Sequence, residues 1–349
     1  MNDRQTNPRR SGAGCFIVVL VVFLLISIGV NAVLFFVAIA KHAGSFASSS
    51  GSTMENFTET TVEDGSSSEK IAVIQLRGVI SFEAPGQSSE SMVTETIEQL
   101  RHASEDKEVK AIVLYIDSPG GEVTASDVIY NEVRRIKEEV KKPIVIYMGS
   151  LCASGGYYIA SGGNYLMANE TTLTGSIGVI IQTINYRELF GKVGLEAMVF
   201  KSGKFKDMLS GSREMTPEER EYVNHLVMQM YEKFLGIVAK ERGLNAETMR
   251  ATFADGRIIS AVDAKVDGLI DGTGYIGDAY EKARSLGGAP GAKVVKYEGQ
   301  FNLARALHMF GKAQDAQRSV KVELPDAIVP KLKPGYCYYM WMPSSEVGQ

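Results

Sequence analysis

Three short stretches of the 349-residue chain combine residue types and spacing that could do chemistry. In GSLCASGGYYIAS (149–161), small residues directly follow an apolar run, the pattern of a tight turn from a strand into a helix. Ser154 at that turn would project from a helix N-terminus, where unpaired backbone N–H groups and the helix dipole favour developing negative charge. The same setting activates nucleophiles, although small residues there also simply let a helix pack closely on a sheet. In IDSPGGEV (116–123), Pro119 sets a turn, and Gly120 and Gly121 let backbone amides face outward ahead of the next helix. Amides from two such strand ends can hold an oxyanion, and removing one such donor costs about 3–4 kcal/mol.

A nucleophilic serine needs a base. His102 and His225 fall within amphipathic helical patterns, His42 follows a long apolar run and His308 lies near the C-terminal end, so a Ser-His-Asp arrangement is a poor fit. The remaining base candidates are the lysines of KSGKFKDMLSGSREM (201–215), namely Lys201, Lys204 and Lys206. An ordinary lysine, with a pKa near 10.4, is protonated at neutral pH, so a site using one must disfavour its charge by burial. Most lysines in polar loops are simply solvated.

The elements that must position these stretches follow an α/β pattern. Nearly continuous apolar runs at 71–80, 111–117 and 143–148 predict strands covered on both faces. A polar amphipathic helix over 91–103 and another over 123–140, with Ile129, Val133, Ile136 and Val140 at helical spacing, lie between them. Further strands are expected at 165–169, 176–181 and 196–202. After Met215, Thr216 as N-cap, Pro217 at the first position and Glu219 three residues on predict a capped long helix, which Gly243 stops. No internal repeat is visible.

Composition sets the frame. Hydrophobic residues make up 45% and charged residues 22%, which is globular, and the net charge of −4 gives no sign of nucleic-acid binding. Cys15, Cys152 and Cys337 are too scattered for a disulfide framework, and the four histidines have no metal-ligand spacing, so neither metal nor cofactor is expected. Residues 15–40 form an uncharged apolar run, about 39 Å long as a helix, enough to span a bilayer core of about 30 Å. It is too long for the apolar stretch of a cleaved signal peptide. Arg4, Arg9 and Arg10 precede it, so residues 1–14 are expected in the cytoplasm and the remainder outside, across a cell membrane. Residues 41–69 read as a Ser/Gly-rich tether, 70–297 as the folded body and 298–349 as an irregular tail containing PGYCYYMWMP.

In chain order, SPGG (118–121), ASGGYYIA (153–160), TLTGSIGV (172–179), KSGKFKDMLSGSREMTPEE (201–219) and ADGRIISAVDAKVDGLID (254–271) together resemble the signal peptide peptidase A family, in its short form with one catalytic domain. The resemblance covers about residues 70–297. It implies a Ser/Lys-dyad serine endopeptidase on the fold shared by Clp protease and crotonase, with repeated β-β-α units. Ser154 then matches the nucleophile, Lys206 the general base, Ser176 a serine that orients the lysine, and Gly121 and Gly155 the oxyanion-hole donors. Cys152 stands where relatives often have Ala, a change between small residues.

The resemblance also implies a membrane-anchored homo-oligomeric ring of eight protomers with each dyad shared between neighbours. Its substrates would be remnant signal peptides and similar hydrophobic peptides. The tail could lie in the substrate groove and be trimmed by the enzyme itself. Two other readings compete. A crotonase-type acyl-CoA enzyme would need a coenzyme A site and an acidic base, and the apolar N-terminal run and lysine motif argue against it. An inactive scaffold would keep the fold without the chemistry, yet both dyad residues are present.

Overall fold

Apolar runs too hydrophobic for a one-sided sheet become the centre of a layered α/β body. The computed structural model describes residues 20–31, 33, 57–83, 91–299 and 337–340. The chain divides into two units, Met1–Glu55 and Asn56–Gln349. In the first, residues 20–31 are helical (α1), and Asn31 offsets its polarity locally by donating from Nδ2 to the Ser27 carbonyl at 2.7 Å. Half of the apolar run at 15–40 lies outside the described residues, and among those described no helix is long and apolar enough to cross a membrane.

The second unit starts with β1 (Phe57–Glu63) and β2 (Lys70–Arg77). Helix α2 (Met92–Glu105), β3 (Val109–Ser118), β4 (Gly120–Glu122) and α3 (Val123–Arg135) follow. A π-helical turn, Ile136–Val140, extends α3 before β5 (Ile144–Ala153) and α4 (Gly155–Ala160). Next come β6 (Tyr165–Ala168), β7 (Leu173–Gly175), α5 (Arg187–Lys192), α6 (Pro217–Arg242) and α7 (Ala246–Thr252). The unit continues with β8 (Ile258–Ser260), α8 (Ala261–Val266), β9 (Gly272–Thr273), α9 (Ile276–Gly287) and β10 (Lys293–Gly299), and a short β11 (Tyr338–Met340) lies in the tail.

The main sheet runs β1-β10-β2-β3-β5-β6-β9, with β7 paired to both β5 and β8. Its centre is parallel: Ile71 lies opposite Ala111, Ile112 opposite Ile144, and Val145 opposite Tyr165. On one face Leu76, Ile112, Leu114 and Ile146 pack with Ile129, Val133 and Phe234 from α3 and α6. On the other, Val73, Val113 and Val145 meet Ala279 and Ala283 of α9, whose small side chains allow a close approach. Ser91 caps α2 by accepting from Thr94 N, and Thr216 and Glu219 form a reciprocal capping box on α6, as their spacing predicts. Gly243 ends α6 in a left-handed conformation, φ 67°.

Three expectations need correction. The tether read over 41–69 contains β1, so the body begins near Phe57 rather than at 70; FTETTVE is polar, and pairing with β10 makes it a strand. The segment 176–181 contributes only an isolated bridge from Ile180 to Tyr338, and 196–202 forms no strand. Residues 176–181 meet only the short β11, at this one bridge, and 196–202 have β-forming side chains but no neighbouring strand among the described residues. The body also reaches Gly299, the last residue of β10, rather than 297.

Candidate active site

Strand β5 makes the site possible by serving two neighbours in turn. Its first half, Val145 to Met148, pairs with β6, whereas Leu151 to Ala153 pair with β7. At the end of the second half the chain must turn at once into α4. Ser154 accomplishes this with φ 52° and ψ −115°, a backbone conformation that costs a non-glycine residue of order 1–3 kcal/mol. The turn is held by Ser154 N–H donating to Gly175 O at 2.8 Å and Tyr158 N–H donating to Ser154 O at 2.8 Å. Ser154 is 1% exposed, and its hydroxyl makes no hydrogen bond with any described residue.

The neighbouring glycines are required by space. A Cβ on Gly120, at φ +100°, would run into the Tyr339 carbonyl oxygen and lie 2.7 Å from Gly155 N. One on Gly155 would strike Ser126 Oγ and lie 3.1 Å from Tyr339 O and 3.2 Å from Gly121 N. Ile80 N–H donates to Gly120 O and Glu122 N–H donates to Ile80 O, at 2.9 and 2.8 Å. The amide between them, Gly121 N–H, therefore points away from Ile80 and toward β11. Gly155 is the first residue of α4, so its N–H has no partner within that helix. The amides of Gly121 and Gly155 thus converge from two strand ends.

A peptide segment occupies this place. Strand β11 pairs antiparallel with β4, with Tyr339 opposite Gly121, and Val123 N–H donates to Cys337 O at 3.2 Å. On its other flank Tyr338 and Ile180 exchange N–H···O bonds of 3.0 and 3.1 Å. The tail is an added strand between two backbone rails, with the Tyr339 carbonyl beside Gly120, Gly121 and Gly155. Main-chain pairing of this kind holds any extended peptide, whatever its side chains.

The other candidate residues are distributed unequally. Ser176, at φ 50° and 5% exposed, follows β7 directly, next to the Gly175 whose carbonyl receives Ser154 N–H. Lys206 sits elsewhere, exposed in the arm 181–215 between β7 and α6, and its amine has no hydrogen-bond or ion-pair partner among the described residues. The arm pairs with itself: Tyr186 N–H donates to Gly211 O at 2.8 Å, and Thr183 Oγ1 donates to Leu209 O at 2.9 Å. Lys201 is paired with Asp207 at 2.7 Å and Lys204 with Glu218 at 2.8 Å. The single chain brings together Ser154, Ser176, Gly121 and Gly155 but leaves Lys206 facing outward. Cys152, wholly buried behind Ser154, has its thiol pushed up by burial and is chemically quiet.

Two groupings escape sequence reading. Arg213 lies between Asp207 and Glu219, with Nε to Asp207 Oδ2 at 2.8 Å and Nη1 to Glu219 Oε2 at 2.8 Å, and it holds both carboxyls well below their ordinary range. This lattice ties the residue after Lys206 to the first turn of α6. The alternation of charges around a Gly/Ser stretch is a signal for it, though a weak one. The second is an aromatic pocket made by Tyr158, Phe234 and the backbone of Met230, which no local pattern links.

The sequence pattern of peptidase family S49 matches residues 136–289, and that of Clp protease matches residues 71–182. An Enterococcus faecium protein named signal peptide peptidase SppA is 36% identical over 248 residues, 69% of this chain and 70% of that protein. The Synechocystis protease slr0021 is 38% identical over 66% of this chain and 78% of its own length. Protease 4 of Salmonella typhi is 33% identical over 74% of this chain, which spans only 40% of that longer relative.

Proposed function

The chain belongs to peptidase family S49 and is a serine protease, and from that premise we propose an endopeptidase in which Ser154 is the nucleophile and Lys206 its general base. One observation carries the reading: an extended peptide lies in register along β4 with Tyr339 opposite Gly121 and its carbonyl oxygen packed against Gly120 and Gly155, beside the strained Ser154 turn. In the reaction, Ser154 Oγ attacks the carbonyl carbon while its proton passes to the lysine amine. The carbonyl oxygen takes up the negative charge and is held by the Gly121 and Gly155 N–H groups. The lysine then gives the proton to the departing amine, and water, deprotonated by the same lysine, releases the acyl group from Ser154.

A lysine can take that proton only where a dry setting disfavours its charge. In one chain Lys206 is exposed, so the setting would come from a second copy. A neighbour's Lys206 arriving beside Gly175 would meet Ser154 and Ser176 together, with Ser176 orienting the amine. Support comes from the arm's surface, where Phe200 is 94% and Met198 80% exposed, apolar area of the kind that an interface covers. The proposed assembly is a homo-oligomeric ring, an octamer, with each dyad shared between neighbours.

Residues 15–40 would anchor the ring in a cell membrane, with the N-terminus cytoplasmic and the catalytic body outside. The substrates would be remnant signal peptides and similar hydrophobic segments, which an apolar groove with open backbone rails suits. The tail, seated as such a segment, would be trimmed by the enzyme itself. Hydrolysis of a quenched hydrophobic peptide by the full chain, by Ser154→Ala, by Lys206→Ala and by a mixture of the two variants tests this. Each variant should lose at least 10⁴-fold in rate, and the mixture should regain part of it because some junctions carry both intact groups. Equal rates in all samples would reject the dyad, and identical C-termini by mass spectrometry in wild type and Ser154→Ala would reject self-trimming.

A further inference from the structure

Strand β5 also breaks its pairing on the side away from β6 and β7. Ile116 of β3 lies opposite Met148, yet Ser118 lies opposite Cys152, so Asp117 alone faces Gly149, Ser150 and Leu151. A bulge of this kind leaves backbone groups without ladder partners, and something else must satisfy them. Two side chains do so here. Leu151 N–H donates to Asp117 Oδ1 at 3.1 Å, and the Gly149 carbonyl accepts from Thr172 Oγ1 at 2.7 Å. Thr172 is buried just ahead of β7, so the bulge is gripped from β3 on one flank and from the β7 side on the other.

Asp117 is placed to set where the bulge falls. Its backbone is fixed independently of its side chain: it lies opposite Arg77, and its carbonyl accepts Gly78 N–H at 2.9 Å. Gly149 fits against it only because it lacks a side chain, since a Cβ there would lie 2.9 Å from Asp117 Cβ and Cγ and 2.7 Å from the Tyr115 hydroxyl. The Tyr115 phenol, pushed up by burial first and by the Asp117 charge second, stays protonated beside the carboxylate. Leu151 begins the run of β5 that pairs with β7, and Ser154 follows that run at once. A strained turn such as the one at Ser154 persists only while its surroundings over-determine it.

Resting on the peptidase reading above, we propose that Asp117 is a positioning residue of the reaction: through Leu151 it fixes the β5 segment that presents the Ser154 hydroxyl to the bound carbonyl. It acts by the place of its oxygen rather than by its charge. The groove itself is set by other contacts, because Gly120 N–H donates to Ser118 Oγ at 3.0 Å and β4 is tied to Ile80 on both sides of Gly121. Loss of the Asp117 oxygen therefore lowers kcat and leaves KM nearly unchanged.

Steady-state kinetics of the full, assembled chain on a quenched hydrophobic peptide tests this for wild type, Asp117→Asn, Asp117→Glu and Asp117→Leu. Ser154→Ala serves as the blank, and thermal melting and sedimentation velocity are run on each protein. Asp117→Asn keeps an acceptor oxygen at the same reach without the charge, and its kcat should stay within about threefold of wild type. Asp117→Glu keeps the charge but carries its oxygens one methylene further and should lose about 10-fold. Asp117→Leu fills the space with no acceptor and should lose about 100-fold, the cost of a displacement of about an ångström. If Asp117→Leu does not fold, the order of Asp117→Asn and Asp117→Glu decides. Greater activity in Asp117→Glu than in Asp117→Asn would assign the effect to charge and overturn the proposal. So would full activity in Asp117→Leu, or a rise in KM in step with the fall in kcat. Wild type no faster than Ser154→Ala would instead overturn the peptidase reading, and the role of Asp117 with it.

Discussion

The cleft at the end of β5 and the arm at 181–215 differ in how much of their surface the chain satisfies by itself. In the cleft, Ser154, Gly121 and Gly155 are buried, their backbone is fixed by neighbours on three sides, and strain at Ser154 is held by the strands around it. The arm bonds to itself and to the first turn of α6 and exposes Leu189, Leu195, Met198 and Phe200. The part that binds a carbonyl is thus complete in one protomer, whereas the part carrying Lys206 has an apolar face still to be covered. Under the proposed shared dyad, a site divided this way would be inactive as an isolated chain and become active only where two copies meet.

The sharpest way to break this comparison is to spoil the cleft while leaving the arm alone. In Gly155→Ala the new methyl would strike Ser126 Oγ and crowd the position of the substrate carbonyl. Turnover should fall about 10²- to 10³-fold, the effect of losing one oxyanion donor, with the oligomeric state unchanged. Steady-state kinetics beside sedimentation velocity checks both halves. A loss of activity accompanied by dissociation would mean that the cleft is not independent of assembly.

The converse change is Phe200→Glu. It touches no residue of the cleft and places a charge on the most exposed apolar side chain of the arm. Dissociation should increase, with about a 30-fold loss of activity at low protein concentration, the size expected for an aromatic anchor worth about 2 kcal/mol. Raising the concentration should restore the rate. An unchanged sedimentation coefficient would show that this face is not the joint.

How far these features are visible in the sequence follows the same division. Strands β2, β3 and β5 are legible because burial on both faces leaves a continuous apolar run, and α6 because Thr216, Pro217, Glu219 and Gly243 write both its ends. The turn at Ser154 is legible because only small residues fit between β5 and α4. Strand β1 is not, since FTETTVE owes its form to pairing with β10, more than two hundred residues away. Residues 196–202 mislead in the opposite sense: their β-forming side chains have no strand beside them among the described residues. The pocket around Tyr339 is hidden because Tyr158, Met230 and Phe234 meet only through the packing of α4 against α6.

The smallest expected effect concerns the stiffness of the arm's base. Arg213 bridges Asp207 and Glu219, and Lys201 adds a second cation on Asp207. Hydrogen bonds to Arg213 are the leading cause of both depressed carboxyl pKa values. The sign follows directly: order contributed by a carboxyl with a lowered pKa is present above its ordinary range near pH 4 and is lost as pH falls through the lowered value. Wild-type protein should therefore keep the 201–219 segment resistant to pepsin down to about pH 3. In Arg213→Gln the two carboxyls lose the leading cause of their depression and are held down only by Lys201 and the Thr216 N–H, so that cleavage begins at a higher pH than in wild type, nearer pH 4. At neutral pH the variant should lose only about two- to fivefold in turnover, because Thr216 still caps α6 and only the precision of the Lys206 turn suffers. Identical pepsin profiles for the two proteins would show that the turn carrying Lys206 is held by something other than this lattice.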